Sequence, residues 1–273
     1  MNTQLAPYSD ARVRRAMSLA IDRDTLDELL YEGAKVATIY PFPLYPGLQR
    51  FVDSPAIRAL EKKYQPRRFD LDASARLMTD AGFTKNADGL WEKGGQTVNA
   101  TIQGFEGIHS DIAPVLVEML RAGGFDANIN FGTDAYQNMA DGKPGLYLFG
   151  HGASTVDPYA VFDLFRTKPI GTTAGNNSFA RYNNPEFSAI VDQMAPLSAD
   201  DPKFQDLAAQ ALGIYWRDVI DCPVIQWLHR IPYNQTYWTN WPTADNPADG
   251  ENGAFWAETG MLVITGLKPS GAQ

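Results

Sequence analysis

The stretch Pro7-Tyr-Ser-Asp-Ala-Arg-Val-Arg-Arg-Ala-Met-Ser-Leu-Ala-Ile-Asp-Arg-Asp24 decides how the chain is read. Val13, Ala16, Met17, Ala20 and Ile21 recur at steps of three and four, which is one apolar stripe on a helix. Ser9 or Asp10 stands before it, and either side chain can accept a bond from the free N–H groups of a first turn. Arg12, Arg14, Arg15 and Arg23 are placed mostly off the stripe. Physics alone gives an amphipathic helix packed on a domain and says nothing of chemistry.

Working outward, Asp24 is expected to cap a short helix carrying Leu26, Leu29 and Leu30 and stopped by Gly33. Tyr40-Pro-Phe-Pro-Leu-Tyr-Pro-Gly47 reads as an extended aromatic loop, either a strap over the core or a rim of a cleft. Asp70 caps a helix over 71–81 with Leu77 and Met78 inward, Gly82 as its left-handed stop and Phe83 as the hydrophobic lock. Asp88-Gly89 turns into Trp91. Residues 97–105 alternate as a strand, Asp111 opens a helix with Ile112, Val115, Leu116, Met119 and Leu120 inward, Gly123 ends it, and Ala127, Ile129 and Phe131 alternate again. Such a unit predicts a parallel pair with a right-handed crossover. A further short buried strand is expected over 146–150. Ligands of open α/β sheets sit beyond the carboxyl ends of strands, so 103–106 and 150–157 are the expected cleft loops.

Asp157-Pro158, Asn184-Pro185 and Asp201-Pro202 each pair a capping side chain with a proline suited to a first helical position. Val224, Ile225 and Trp227 predict a short strand. From Tyr237 to Trp256 the chain is rich in Trp, Pro, Asn and Gly and reads as an ordered loop, with a last strand expected over 261–267.

The chain has 273 residues, 44% hydrophobic and 20% charged, which suits a globular protein and not a disordered one, and the strand–helix–strand pattern makes the expected fold class α/β. A net charge of −9 disfavours nucleic acid and anionic membrane as partners. No apolar run approaches the roughly 20 residues of a membrane helix. The N-terminus lacks the basic start and apolar core of a signal peptide. Cys222 is the single cysteine, which excludes an internal disulfide, and its apolar setting before Pro223 favours a buried inert thiol over a nucleophile.

The words of the opening stretch carry more than its periodicity. Pro7-x-x-Asp10-x-Arg12-Val-Arg14-x-Ala16, followed by Ala20-Ile-Asp-Arg23, resembles the segment that opens the second large lobe of the family 5 extracellular solute-binding proteins. These are the peptide, nickel and oligosaccharide receptors of bacterial ABC importers. A second similarity lies in Asp70, Leu77, Ala81-Gly-Phe83 and Asp88-Gly-Leu-Trp91. A third lies in 150–158 with Asn176-Asn-Ser-x-x-x-Tyr182, similar to a stretch that lines the family's cleft. The resemblance implies a periplasmic-binding-protein type II-like lobe with a mixed sheet flanked by helices. It implies that 1–236 form the C-terminal lobe, that 237–273 return toward a first lobe outside this chain, and that the receptor is periplasmic or extracytoplasmic. Its implied partners are a small-molecule ligand and the membrane permease of an ABC transporter.

The residues themselves give little support to catalysis. His109, His151 and His229 show no metal-ligand spacing, Gly150-His-Gly-Ala-Ser154 is not a nucleophile elbow, and there is no glycine-rich phosphate loop. Catalytic residues, metal and cofactor are therefore all expected to be none. Trp227, Trp238, Trp241 and Trp256 are interleaved with Asn234, Gln235, Asn240 and Asn246. Flat ring faces and amides together suit a sugar ligand, although each tryptophan alone is as well read as core. The position that holds a peptide's amino group in dipeptide receptors of this family aligns here with Ser154, which lacks the charge a desolvated ammonium needs. The run Gln226-Trp-x-x-Arg-x-Pro-Tyr-Asn234 and Tyr237-Trp-Thr-x-Trp-Pro-Thr-x-Asp-Asn-Pro247 resembles the oligosaccharide-binding branch. The expected ligand contacts are Phe105, Trp227 and Trp238 by stacking, Gln103, Ser154 and Asn177 by hydrogen bonds, and Gly152 by close backbone approach. A peptide ligand is the alternative, with Asp157 or a residue of the other lobe on the amino group. A carbohydrate-active enzyme and a free-standing cytoplasmic domain are the readings of other classes.

Overall fold

A computed structural model describes residues 1–44, 46–150, 157–167, 179–226, 232–243 and 256–271. It divides into two compact units, Met1–Gln226 and Trp227–Gln273.

The quoted stretch forms α1 (Ala11–Leu19), and Asp10 is its cap, accepting from Arg12 N. The whole predicted stripe is buried. It lies on the helix that follows Asp70, where the fully buried Ser74 donates its hydroxyl to Ala16 O at 2.8 Å. The helix α2 (Arg23–Tyr31) begins two residues earlier than expected, because Asp22 and not Asp24 accepts from Thr25 N. Leu26 is buried, but Leu29 is 67% exposed and lies off the packed face.

Two arginines correct the reading of the stretch. Arg14 and Arg23, expected off the stripe, are buried. The reason lies about 200 residues away in sequence. Arg14 Nε donates to Asp218 O at 3.2 Å and Val219 O at 2.9 Å, and its Nη1 donates to Tyr8 O. Arg15 donates to Trp216 O, and Arg23 Nε to Pro223 O at 2.7 Å. A helix ends with carbonyls that no helical N–H can reach, at the negative end of its dipole. Guanidinium groups from the opening stretch fill that role for the long helix near the end of this unit.

After β1 (Val36–Ala37) the proline-rich loop straps the core, since Tyr40 and Phe42 are buried. Two helices that the sequence reading did not give follow, α3 (Pro46–Val52) and α4 (Pro55–Tyr64), the second capped by Ser54. The helix α5 (Leu71–Asp80) is capped by Asp70, and Phe83 N closes it on Met78 O at 3.0 Å as Gly82 takes φ +83°. The hairpin strands β2 (Thr84–Lys85), β3 (Trp91–Lys93) and β4 (Gln96–Thr97) are antiparallel. Trp91 is buried and donates its indole N–H to Gly123 O.

The expected 97–105 strand is divided. Its first residues complete the hairpin, and only β5 (Ile102–Gln103) is regular sheet, although backbone bonds run from Ala100, Ile102 and Gly104 to the facing segment. Then come α6 (Ile112–Ala122), β6 (Ile129–Asn130), α7 (Ala135–Asp141) and β7 (Leu146–Tyr147). The order is β6–β5–β7, all parallel, so the predicted strand–helix–strand pairing is present. β7 is half-buried rather than buried.

The remaining helices of this unit are α8 (Tyr159–Phe165), α9 (Pro185–Met194) and α10 (Pro202–Asp218), followed by β8 (Ile225–Gln226) against β1. Asn184 and Asp201 cap as expected, each side chain contributing about 1 kcal/mol. Pro158 sits one place earlier than expected, at the cap itself, while Asp157 accepts from Tyr159 N at 2.8 Å. Cys222 is half-buried, not buried, and accepts from Arg23 Nη2 at 3.1 Å.

Two apolar cores result. One gathers α1, α5, α6 and the sheet around Met17, Leu26, Met78 and Phe125. The other gathers α3, α8, α9 and α10 around Phe162, Phe187, Phe204 and Trp216. In the second unit, β9 (Trp238–Thr239) pairs antiparallel with β10 (Lys268–Pro269). The strand expected over 261–267 is instead the end of α11 (Trp256–Gly266). A short apolar run fits a strand or a buried helix turn equally well, and here the upstream residues extend it to helical length.

Candidate functional site

The parallel strands β6, β5 and β7 all end on one edge, and the residues just past those ends assemble the most distinctive surface of the larger unit. Phe105 lies two residues beyond β5, Phe149 two residues beyond β7, and Tyr136 on α7, which follows β6. Phe179 joins them. Phe149 meets Phe179 edge-on at 5.1 Å and Phe105 at 6.0 Å. Tyr136 meets Phe179 at 5.9 Å and Phe105 at 6.5 Å. Tyr147 packs on Phe179 at 6.2 Å. Such edge-to-face pairs each add about 0.5–1.5 kcal/mol beyond area burial, so the cluster holds its own shape. It is nevertheless open: Phe149 is 42% and Tyr136 39% exposed.

The backbone under the cluster is held tightly. His109 Nδ1 accepts from Phe105 N at 3.0 Å, and His109 N donates to Phe105 O, so one histidine fastens the loop at both polar groups. Burial pushes its imidazole below the ordinary value, against a weaker opposing pull from Asp111. A side chain at Gly104 would meet the Phe131 ring at 2.9 Å and His109 Nδ1 at 3.1 Å, so the close approach requires glycine there.

Beneath the rings lies an amide network. Gln103 is buried, and its carbonyl accepts from Asn130 Nδ2 at 2.8 Å and Asn138 Nδ2 at 3.2 Å. Those amides also donate to Asp134, at 3.2 and 3.0 Å, and their bonds hold its carboxyl below the usual range. Lys143 Nζ donates to Asn138 Oδ1 at 3.0 Å. Burial raises the Tyr147 hydroxyl to about 12, so it remains a neutral donor, to Lys143 O.

The expected site residues fall out as follows. Phe105 is half-buried in the aromatic cluster, and Gln103 lies beneath it. Trp238 lies in the smaller unit, 49% exposed, where Trp241 Nε1 donates to its carbonyl. Gly152, Ser154, Asn177 and Trp227 lie outside the described residues. Of the expected cleft loops, 103–106 contributes Phe105 to the cluster, and 151–156 of the second lie outside the described residues. Tyr136, Tyr147, Phe149 and Phe179 were missed, because they are scattered over 44 positions and only the parallel sheet brings them together. The available signal was the rule that ligands gather at strand ends, applied to aromatics after each strand. Among the described residues no group of His, Cys, Asp or Glu could hold a metal ion.

Comparison with known proteins agrees with this architecture. Residues 1–172 match the family described as bacterial extracellular solute-binding proteins, family 5 Middle. Heme-binding protein A of Haemophilus influenzae is 23% identical over 201 residues, covering 72% of this chain and 33% of that protein. Oligopeptide-binding protein AppA of Bacillus subtilis is 28% identical over 123 residues, 44% of this chain and 21% of that one. The crystal structure of a mannohexaose-bound periplasmic oligopeptide-binding protein from Thermotoga maritima superposes with a TM-score of 0.79 at 24% identity, covering 99% of this chain and 51% of that chain. The chain thus spans about a third of the first curated relative's length and about half of that structure. The fold is that of a periplasmic-binding-protein type II lobe, and the chain belongs to the bacterial extracellular solute-binding proteins of family 5.

Proposed function

We propose that this chain is one lobe of an extracytoplasmic receptor that delivers a solute to the membrane permease of an ABC importer, and that the solute is an oligosaccharide. Residues 1–236 are the lobe proper and 237–273 the segment returning toward a first lobe outside this chain. The observation that carries the reading is the open aromatic cluster past the ends of β5 and β7, in which Phe149 and Tyr136 are exposed. Ring faces can stack on the C–H faces of a sugar while amides and backbone groups take its hydroxyls. Phe105 is the inner ring of that wall, Gln103 fixes the floor, Trp227 and Trp238 supply further stacking, Ser154 and Asn177 supply hydrogen bonds, and Gly152 admits the backbone. No bond is broken: closure of the two lobes buries the solute and presents it to the permease.

The mannohexaose-bound relative supports a sugar, and the oligopeptide-binding relative supports a peptide. In the peptide reading the amino group needs a carboxylate. Asp157 or a residue of the other lobe is the expected one, and Asp157 Oδ1 already accepts from Tyr159 N at the start of α8. The test is a fluorescence titration of the receptor carrying this lobe with manno- and cello-oligosaccharides beside an oligopeptide mixture. Phe149→Ala is expected to weaken sugar binding about tenfold, the equivalent of one lost stack of ~1.4 kcal/mol. Saturation by peptides alone would replace the ligand class. Unchanged sugar affinity in both Phe149→Ala and Tyr136→Ala would remove the cluster from the site.

A further inference from the structure

The loop that carries Phe105 runs from the end of β5 to the start of α6 and is tied down by its own hydrogen bonds. Gly104 N donates to Asn130 O at 3.1 Å, and Gly107 N to Ser110 Oγ at 2.8 Å. Phe105 O accepts from His109 N at 2.9 Å, and Phe105 N donates to His109 Nδ1 at 3.0 Å. Carbonyls and a hydroxyl accept equally well at any pH a protein meets. An imidazole nitrogen does not, because it accepts only while it carries no proton. A nitrogen that receives the Phe105 N–H is bare, so the ring is neutral with its proton on Nε2. A second proton would set N–H against N–H across 3.0 Å, and one of the two groups would have to leave.

The imidazole has little room to be the one that moves. His109 is buried, its ring packs on the Phe105 ring with centroids 5.7 Å apart, and its carbonyl accepts from Ala113 N in α6 at 3.0 Å. The charges around it are few. Burial disfavours its charged form, and Asp111 at the cap of α6 opposes this more weakly. That carboxylate is itself engaged by the Tyr31 hydroxyl of α2 at 2.8 Å. Glu106 on the loop is exposed. β5 and the segment after β6 bring Gly104, Phe105 and Phe131 to the imidazole, all uncharged. The loop is therefore the part free to give way, and Phe105 would carry its ring away from Phe149 and Tyr136.

Taking the aromatic wall as the solute site proposed for this lobe, we infer that His109 is a positioning residue of that site: neutral, it holds the Phe105 loop in place, and protonated, it releases the loop and with it the solute. It acts through Phe105 and not by touching the solute. Binding and protonation then exclude each other. Affinity is level above about pH 6.5 and falls on acidification, approaching tenfold per pH unit once His109 is charged. By reciprocity, bound solute makes His109 harder to protonate.

Two measurements on the receptor carrying this lobe test the inference. The first is a nuclear magnetic resonance titration without solute, with labelled histidine rings and phenylalanine amides, from neutral pH down to the onset of acid unfolding. The Phe105 amide is expected to shift together with the His109 ring. An amide indifferent to that transition, or a His109 that stays neutral until the chain unfolds, overturns the inference whatever the solute is. The second is calorimetric binding of mannohexaose, and of an oligopeptide mixture beside it, across the same transition. Asparagine places Oδ1 where Nδ1 stands and does not titrate, so His109→Asn is expected to restore the bond and hold affinity level with pH, while His109→Leu binds severalfold more weakly throughout. The same acid profile in wild type and His109→Asn overturns the inference. Binding of neither probe strikes the solute-site reading instead, and the resonance titration still decides whether His109 holds the loop.

Discussion

Replacing Arg14 by methionine tests whether the opening stretch is a clamp or only an amphipathic helix. Methionine keeps most of the apolar stem and removes the guanidinium. Three acceptors lose their donor: Tyr8 O, Asp218 O and Val219 O. The bonds to Tyr8 and Val219 are buried, so water cannot replace the donor there. Leaving a buried carbonyl unpaired costs about 1–3 kcal/mol each, and two of them give about 2–6. Relief from desolvating a guanidinium offsets part of this, since burial already lowers its proton affinity. The net expectation is a loss of about 2–4 kcal/mol, or a fall in melting temperature of about 5–15 °C for a chain of this size. Circular dichroism at the helical band reads it directly. Arg12→Met is the control: Arg12 is exposed and pairs with Asp10, and such surface pairs contribute about 0–1 kcal/mol. If both variants melt within about a degree of each other, the arginine–carbonyl contacts do not hold α1 to α10 and the reasoning fails.

Other expectations follow from the site and its supports. Gln103→Leu unseats the partner of Asn130 and Asn138 and should weaken solute binding severalfold through the position of α7; unchanged affinity by calorimetry would detach the amide network from the site. His109 has a folded-state pKa below its ordinary value, so the unfolded chain binds the proton more readily. Its contribution to stability is therefore full above about pH 6.5 and is lost on acidification below it, and His109→Gln should flatten that pH dependence of the urea midpoint. Gly142 sits at φ +69°, and a side chain there would lie 2.3 Å from Arg181 Nε and 2.7 Å from Asn2 Nδ2. Gly142→Ala should thus cost roughly 1–2 kcal/mol in chemical unfolding, and a neutral result would contradict the left-handed turn that ends α7.

Much of the local structure was legible because it is written in short range. Asp10, Asp70, Asn184 and Asp201 cap the helices that their positions announce, and Ala81-Gly-Phe83 closes α5 as its residues require. The misreadings have a common cause. Asp22 and Asp24 both precede the same apolar residues, and only the fold chooses between them. Residues 261–267 carry too short an apolar run for periodicity to separate helix from strand. Arginine on a helix is ordinarily a solvated residue, and nothing within ten positions of Arg14 reveals the carbonyls of Asp218 and Val219. The aromatic wall belongs to the same class. Phe105 stood out through its place after a strand, but Tyr136, Phe149 and Phe179 become a surface only once β6, β5 and β7 lie side by side.

If the lobe closes on a solute as proposed, the junction between the two cores has a mechanical meaning. Apolar faces can slide over one another with small loss, because burial depends on area and not on direction. A guanidinium bond to a carbonyl weakens steeply once its angle falls away from linear. Arg14 and Arg15 thus join α1 to the end of α10, and Arg23 joins α2 to the segment after it, by contacts that fix orientation as well as distance. In the proposed closure, a push received at one core would reach the other through these bonds, and the larger unit would turn as a single lever.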